Sequence, residues 1–268
     1  MTLYRGMDRA ALDAAYNNRN AVPSYAAISA ERARRSDEVR RRRKLHPDLR
    51  YGPGARERLD VFPAERTGAP LLAFIHGGYW QTNDKEPSSF LVEGPLERGF
   101  SVALIEYTLA PEADIDRIVA EVARAIDWLA AHAREYGADP ARLVVSGHSA
   151  GGHLTAMMAA KPQVRGALAI SGLFDLEPIR LCYLNEKLRL TEDSAQRNSP
   201  LRHLPKKRAP IAVAVGAEEL PELVRQSADY AAALGVPALA LPGHDHFSVL
   251  DELARPDGAL CRALSELA

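Results

Sequence analysis

The chain has 268 residues, 47% of them hydrophobic, which suffices for one large domain or two small ones with a full core. Its formal net charge of −1 gives no global pull toward nucleic acid or an anionic membrane. No apolar run is long enough to span a bilayer and the first residues lack the apolar stretch of a secretory signal, so a soluble cytoplasmic protein is expected. Cys182 and Cys261 lie far apart in sequence with no metal or redox spacing, and read as free thiols.

Residues 1–48 form a helix-compatible arm rich in arginine, with Arg32, Arg34, Arg35 and the run Arg40-Arg41-Arg42-Arg43-Lys44. Glu31, Asp37 and Glu38 are interleaved and the run itself contains no aromatic residue. A solvated helix face or an oligomer contact, such as a homodimer, is therefore favoured over a nucleic-acid surface. Beyond Leu49 the pattern becomes alternating. Leu49–Tyr51 and Arg58–Phe62 flank Gly52-Pro53-Gly54 and predict a hairpin. Leu71–Ile75 and Ser101–Ile105 are short apolar runs of the kind buried on both faces of a sheet.

Ile118–Tyr136 has helical periodicity, with Ile118, Val122, Ile126 and Leu129 on one face and Trp128 close to it. Asp139-Pro140 predicts a turn into a strand at Arg142–Ser146. Further strands are expected at Ala167–Ile170, Ile211–Val215 and Ala238–Leu241, with a helix over Leu223–Leu234. Gly172–Arg208 reads as an irregular insertion, a partial cap over the top of the sheet. The alternation predicts a single α/β domain over 1–268, with a mostly parallel central sheet, helices on both faces and an N-terminal hairpin, the α/β-hydrolase arrangement. In such sheets the chemistry gathers at the carboxyl ends of the strands.

The segment most specific for chemistry is Gly147-His148-Ser149-Ala150-Gly151, between the strand ending at Ser146 and the helix-like stretch Gly152–Met158. A G-x-S-x-G sequence at a strand-to-helix turn is a nucleophile elbow, with glycines where side chains would strike neighbouring backbone. The Ala150 N–H, at the helix N-terminus, is an oxyanion donor. A serine nucleophile needs a histidine base and an orienting acid, in the chain order Ser, acid, His. The acid is expected in Gly216–Glu222, where Glu219 is preferred to Glu218 and Glu222. The base is expected in Pro242–Phe247, where His246 is preferred to His244. No further Cys/His cluster completes a metal site around His244-x-His246, so neither metal nor cofactor is expected. Gly77 and Gly78, in His76-Gly77-Gly78-Tyr79-Trp80, can bring backbone N–H groups close to a substrate. Tyr79 and Trp80 are candidate substrate contacts, with core packing the alternative for Trp80. His76, His148 and His153 are expected to pack or bond locally.

These segments together resemble kynurenine formamidase (arylformamidase) and its bacterial relatives. The resemblance rests on His76–Trp80, Gly147–Leu154, Ser171–Leu176, Asn198–Leu201, Arg225-Gln226-Ser227 and Asp245-His246-Phe247, and extends over roughly residues 70 to 250. It implies Ser149 as nucleophile, Glu219 as acid and His246 as base, with Gly77, Gly78 and Ala150 around the oxyanion. It also implies hydrolysis of a small acyl substrate, an aryl formamide such as N-formylkynurenine. The family's pattern usually has Asp where Glu219 stands. Glu106-Tyr107-Thr108-Leu109-Ala110-Pro111-Glu112 is similar to a segment of hormone-sensitive-lipase-type carboxylesterases, so a short-chain carboxylesterase or thioesterase is the alternative. A non-catalytic binding protein on the same fold is the remote one.

Overall fold

The protein, described over residues 2–268 in a computed structural model, is built on an eight-stranded sheet of order β1-β2-β4-β3-β5-β6-β7-β8. The strands are β1 His46–Arg50, β2 Arg58–Phe62, β3 Ala69–Ile75, β4 Ser101–Ile105, β5 Ala138–His148, β6 Gly166–Ile170, β7 Ile211–Gly216 and β8 Ala238–Leu241. β2 pairs antiparallel with β1 and with β4, and every other pairing is parallel.

Helices α1 Arg9–Ala15, α2 Asn18–Ala21 and α3 Tyr25–Arg42 make up the N-terminal arm. α4 Glu93–Glu97 precedes β4, α5 Ile115–His132 precedes β5, and α6 Ala150–Met158 follows the G-x-S-x-G turn. α7 Glu177–Leu181, α8 Asn185–Leu188 and α9 Glu192–Arg197 lie in the segment between β6 and β7. α10 Pro221–Leu234 follows β7, and α11 Asp251–Ala254 and α12 Ala259–Glu266 close the chain.

Alternation along the central strands feeds two cores, the expected result for strands buried on both faces. Leu71, Ala73 and Ile75 of β3 pack with Ile118, Val122, Ile126 and Leu129 of α5. Leu72 and Phe74 pack on the opposite face with Val39 of α3 and with Leu260 and Leu264 of α12. The arm belongs to this packing: Leu12 and Tyr16 are fully buried against the first core. Much of its arginine is engaged by carboxylates, with Arg40 at 2.5 Å from buried Asp60 and Arg42 and Arg43 both on Glu93.

Three local expectations change. β1 begins at His46 and ends before Tyr51, so Gly52-Pro53-Gly54 lies in a longer loop, closed by the Tyr51 N–H on the Glu57 carbonyl at 3.0 Å. Asp139-Pro140 is not a turn before the strand but its irregular start. Ala138 pairs with Ala69, the register then slips before Leu143 meets Leu71, and Pro140, which has no N–H to give a ladder, sits in the slipped stretch. The segment 172–208 is irregular over much of its length but carries short helices. These are four to six residues long, and helices that short depend on tertiary contacts for their stability.

The parallel register aligns the strand ends. Ile75 is level with Ile105 and Gly147, His148 with Ile170, and Gly216 with Leu241. Every loop singled out for chemistry therefore leaves the same edge of the sheet.

Candidate active site

Ser149 stands between β5 and α6 with φ 58° and ψ −117°, a conformation that non-glycine residues rarely occupy. Its surroundings hold it there. A Cβ at Gly151 would lie 2.0 Å from the Ile75 carbonyl oxygen, and one at Gly147 would lie 2.4 Å from the Gly151 oxygen. The elbow is thus pressed against the end of β3 with no room for either side chain. The Ser149 N–H bonds the Ile170 carbonyl at 2.9 Å, and its own carbonyl accepts from His153 N–H as α6 begins.

The acid and base loops meet beside it. His246 Nδ1 donates to Glu219 Oε2 at 2.6 Å, and both residues are buried. The other oxygen, Oε1, accepts from Gly216 N–H at 2.8 Å and from Ser171 Oγ at 2.5 Å. Glu218 is exposed, and Glu222 is bonded by Arg225 and by the Tyr16 hydroxyl. Of the three carboxylates, Glu219 alone reaches His246. The two loops are tied together by Glu218 N–H on the His244 carbonyl at 3.0 Å. A Cβ at Gly216 would fall 2.3 Å from that same carbonyl oxygen, so glycine is needed where the loops touch. His244 faces elsewhere, with Nδ1 on the Ser248 carbonyl and Nε2 3.5 Å from Glu252.

The glycine loop after β3 packs onto the elbow. A Cβ at Gly77 would come within 2.8 Å of the His148 carbonyl oxygen and 3.1 Å of Ser149 Cβ. Gly78 has φ 113°, and Tyr79 and Trp80 follow at φ 52° and 59°. The N–H groups of Gly77 and Gly78 donate to no acceptor among the described residues, and that of Ala150 is one of the unpaired amides at the start of α6. Three donors are therefore unengaged around Ser149.

The loop is held from below by the segment after β4. Glu106 Oε1 takes His76 Nε2 at 3.0 Å and Arg56 Nη2 at 2.6 Å, the Tyr107 hydroxyl donates to the His76 carbonyl, and Ala110 N–H bonds the Trp80 carbonyl. The hydrogen bond and charge of His76, with Arg56 beside them, outweigh burial and hold the Glu106 carboxyl below its usual range.

His148 borders the cavity and its ring lies 4.5 Å from that of His246, whereas His153 is buried away from the cavity wall. Burial pulls His148 well below the ordinary histidine value and takes His153 down to about 4. His153 Nε2 bonds the Asn198 carbonyl at 2.7 Å, and its ring meets Trp80 edge-on at 5.1 Å. The candidate role of Trp80 as a substrate contact is corrected. The indole is fully buried behind the loop against His153 and is absent from the cavity wall. Tyr79 does border the cavity, but its hydroxyl donates to the Tyr16 carbonyl at 2.7 Å and accepts from Asn18 Nδ2 at 2.9 Å, which ties the glycine loop to the arm.

Ser149, His246, Gly77, Gly78 and Tyr79 line one cavity of about 280 Å³. Ser149 and His246 share this cavity without a hydrogen bond between them, His246 Nδ1 being held by Glu219. Part of the cavity wall comes from the arm, through Asn18, Arg19, Tyr25 and Arg32. Sequence reasoning missed this wall, and it missed Ser171 as a partner of Glu219. The positive φ of Ser171, 51°, is visible only in three dimensions. Gln226, one of the residues that carried the resemblance, ties three segments together: Oε1 accepts the N–H groups of Phe174 and Asp175 and Nε2 donates to the Tyr16 hydroxyl.

Comparison with known proteins identifies the chain's relatives. Residues 59–171 match the BD-FAE family model and residues 116–235 the prolyl oligopeptidase family model. Kynurenine formamidase of Salmo salar is 35% identical over 238 residues, covering 81% of this chain and 80% of that protein. The Danio rerio kynurenine formamidase is 34% identical, with 82% and 80% covered. A solved Silicibacter sp. protein with a provisional thioesterase assignment superposes with a TM-score of 0.87 at 32% identity, covering 95% of this chain and 98% of that one.

Proposed function

Because the chain belongs to the kynurenine formamidase family of α/β hydrolases, we propose that it hydrolyses an aryl formamide of the N-formylkynurenine type. The observation that carries this reading is the convergence of a strained Ser149 with a Glu219-bound His246 on one cavity.

His246 Nε2 takes the Ser149 proton as Oγ attacks the formyl carbon, and Glu219 holds the ring with Nε2 directed away from its own carboxylate. The tetrahedral oxyanion is received by the N–H groups of Gly77, Gly78 and Ala150; one such donor typically contributes about 3–4 kcal/mol to the transition state. The intermediate collapses as His246 returns the proton to the departing aryl amine, leaving a formyl ester on Ser149. Water then attacks that ester, His246 accepting its proton, and formate leaves as Ser149 is reprotonated. Every proton in both half-reactions passes through one imidazole, which is why its orientation by Glu219 matters. A cytoplasmic, reducing setting accompanies the reading, supported by Cys182 and Cys261 both being buried free thiols.

A carboxylesterase or thioesterase activity is the second reading. It is favoured by the Glu106–Glu112 segment beneath the glycine loop and by the provisional assignment of the Silicibacter relative. The purified enzyme should cleave N-formylkynurenine beside p-nitrophenyl acetate and butyrate. Efficient ester turnover without detectable formamide cleavage rejects the first reading in favour of the second. Ser149→Ala should lose on the order of a million-fold in kcat and all labelling by a fluorophosphonate, with an unchanged melting profile. Substantial activity in that variant removes Ser149 from the mechanism.

A further inference from the structure

The part of the cavity wall that the arm supplies carries charge that the proposed chemistry does not use. Arg19, an exposed residue of α2, borders the cavity and lies over the Tyr25 ring at 5.2 Å from its centroid. No carboxylate among the described residues forms an ion pair with it. Tyr25 in turn packs on Phe247, with ring centroids 4.6 Å apart. Arg32, from α3, borders the same cavity, lies over the Phe90 ring at 4.7 Å from its centroid and donates through Nη2 to the Phe247 carbonyl. Its side chain is 12% exposed, its Nε–H has no partner, and its nearest acid, Asp251, stands 3.8 Å away and is shared with Arg35. Among the described residues lining this cavity, Asp84 is the one acid, and Arg56 holds it at 2.8 Å.

Two guanidinium groups thus border one cavity, Arg19 exposed over Tyr25 and without an acid, Arg32 largely buried over the Phe90 ring with Asp251 at 3.8 Å. A guanidinium has five fixed N–H donors suited to a carboxylate, and those that Asp251 and the Phe247 carbonyl leave free can take one. We propose that the arm builds an anion subsite from Arg19 and Arg32 around Tyr25 and Phe247. Its ligand is the carboxylate of an aromatic substrate, held on the leaving-group side while Ser149 meets the acyl carbon. The inference rests on the hydrolase reading above and narrows its substrate class to anionic aromatic acyl compounds. It also gives the arm a part in selecting substrate.

The test compares each substrate with the same molecule after its carboxylate is masked: N-formylkynurenine with its methyl ester, and 4-acetoxybenzoate with methyl 4-acetoxybenzoate. The wild-type enzyme should favour the anionic member by about tenfold in kcat/KM, mostly through KM, and the preference should shrink toward unity in about 0.5 M salt. Arg19→Gln should reduce the preference about threefold at unchanged kcat, and Arg19→Glu should reverse it. Arg32→Gln should act in the same direction, with a thermal melt to separate loss of binding from disturbance of the Phe247 turn. A preference insensitive to salt and to Arg19→Glu overturns the subsite. If neither formamide is cleaved, the formamidase reading fails, and the ester pair decides the subsite by the same ratios.

Discussion

Removing the hydroxyl of Ser171 tests how the acid of this site is held. Ser171 directly follows β6, is fully buried, and donates to Glu219 Oε1 at 2.5 Å while Gly216 N–H donates to the same oxygen at 2.8 Å. The opposite oxygen holds His246 at 2.6 Å. A buried hydrogen bond to a carboxylate contributes about 1.5–3 kcal/mol. Since the Gly216 donor remains, the lower end applies, and about 1.4 kcal/mol at the transition state is a tenfold loss of kcat. KM should change little, because Ser171 does not border the substrate cavity. The backbone supplies a control. Ser171 has φ 51°, a strain that serine and alanine share and glycine relieves. Ser171→Ala removes the hydroxyl at unchanged strain and Ser171→Gly removes both, so equal losses of kcat identify the hydrogen bond as the cause. Steady-state kinetics on N-formylkynurenine, with thermal melts of both variants, make the measurement. If both variants keep kcat within about twofold of wild type, Ser171 does not position the acid. If Ser171→Gly alone loses kcat, release of the backbone and not the hydroxyl is responsible.

Gly151→Ala places a methyl group 2.0 Å from the Ile75 carbonyl oxygen, against backbone that cannot swing aside. A loss of about 3 kcal/mol is expected, near 10 °C in Tm, together with loss of turnover as the elbow shifts. A melting temperature within about 1 °C of wild type contradicts the packing argument. The buried imidazole of His153 predicts acid sensitivity. Its value falls from 6.5 in the unfolded chain to about 4 in the fold, so between those limits the unfolded chain binds a proton that the folded chain excludes. Its contribution is complete above about pH 6.5 and lost as pH falls through about 4, on the order of 3 kcal/mol. His153→Gln should therefore lower the urea midpoint less than wild type does between neutral pH and pH 4. An identical drop in both proteins rules out the assignment, with His148 shifting in the same direction in each.

The chain alone determined the strand-end loops and their order, because those signals are local. Buried strands show as short apolar runs, and a turn as tight as Gly147–Gly151 admits few residue types. Ser149, Glu219 and His246 could be chosen because each sits in a loop directly after such a run. Packing decided among neighbours, bringing Glu219 to His246 while Arg225 and Tyr16 hold Glu222 away. It also decided that Trp80 turns inward and that Ser171 reaches across from a separate strand end. The arm was least legible. Its arginines, interleaved with acids, have the same pattern whether they face solvent or a cavity, and it is the burial of Leu12 and Tyr16 in one core and of Val39 in the other that brings Arg19 and Arg32 to the site. Local sterics write themselves into neighbouring residues, whereas contacts between segments some two hundred positions apart leave no periodic trace and exist only once the chain has closed on itself.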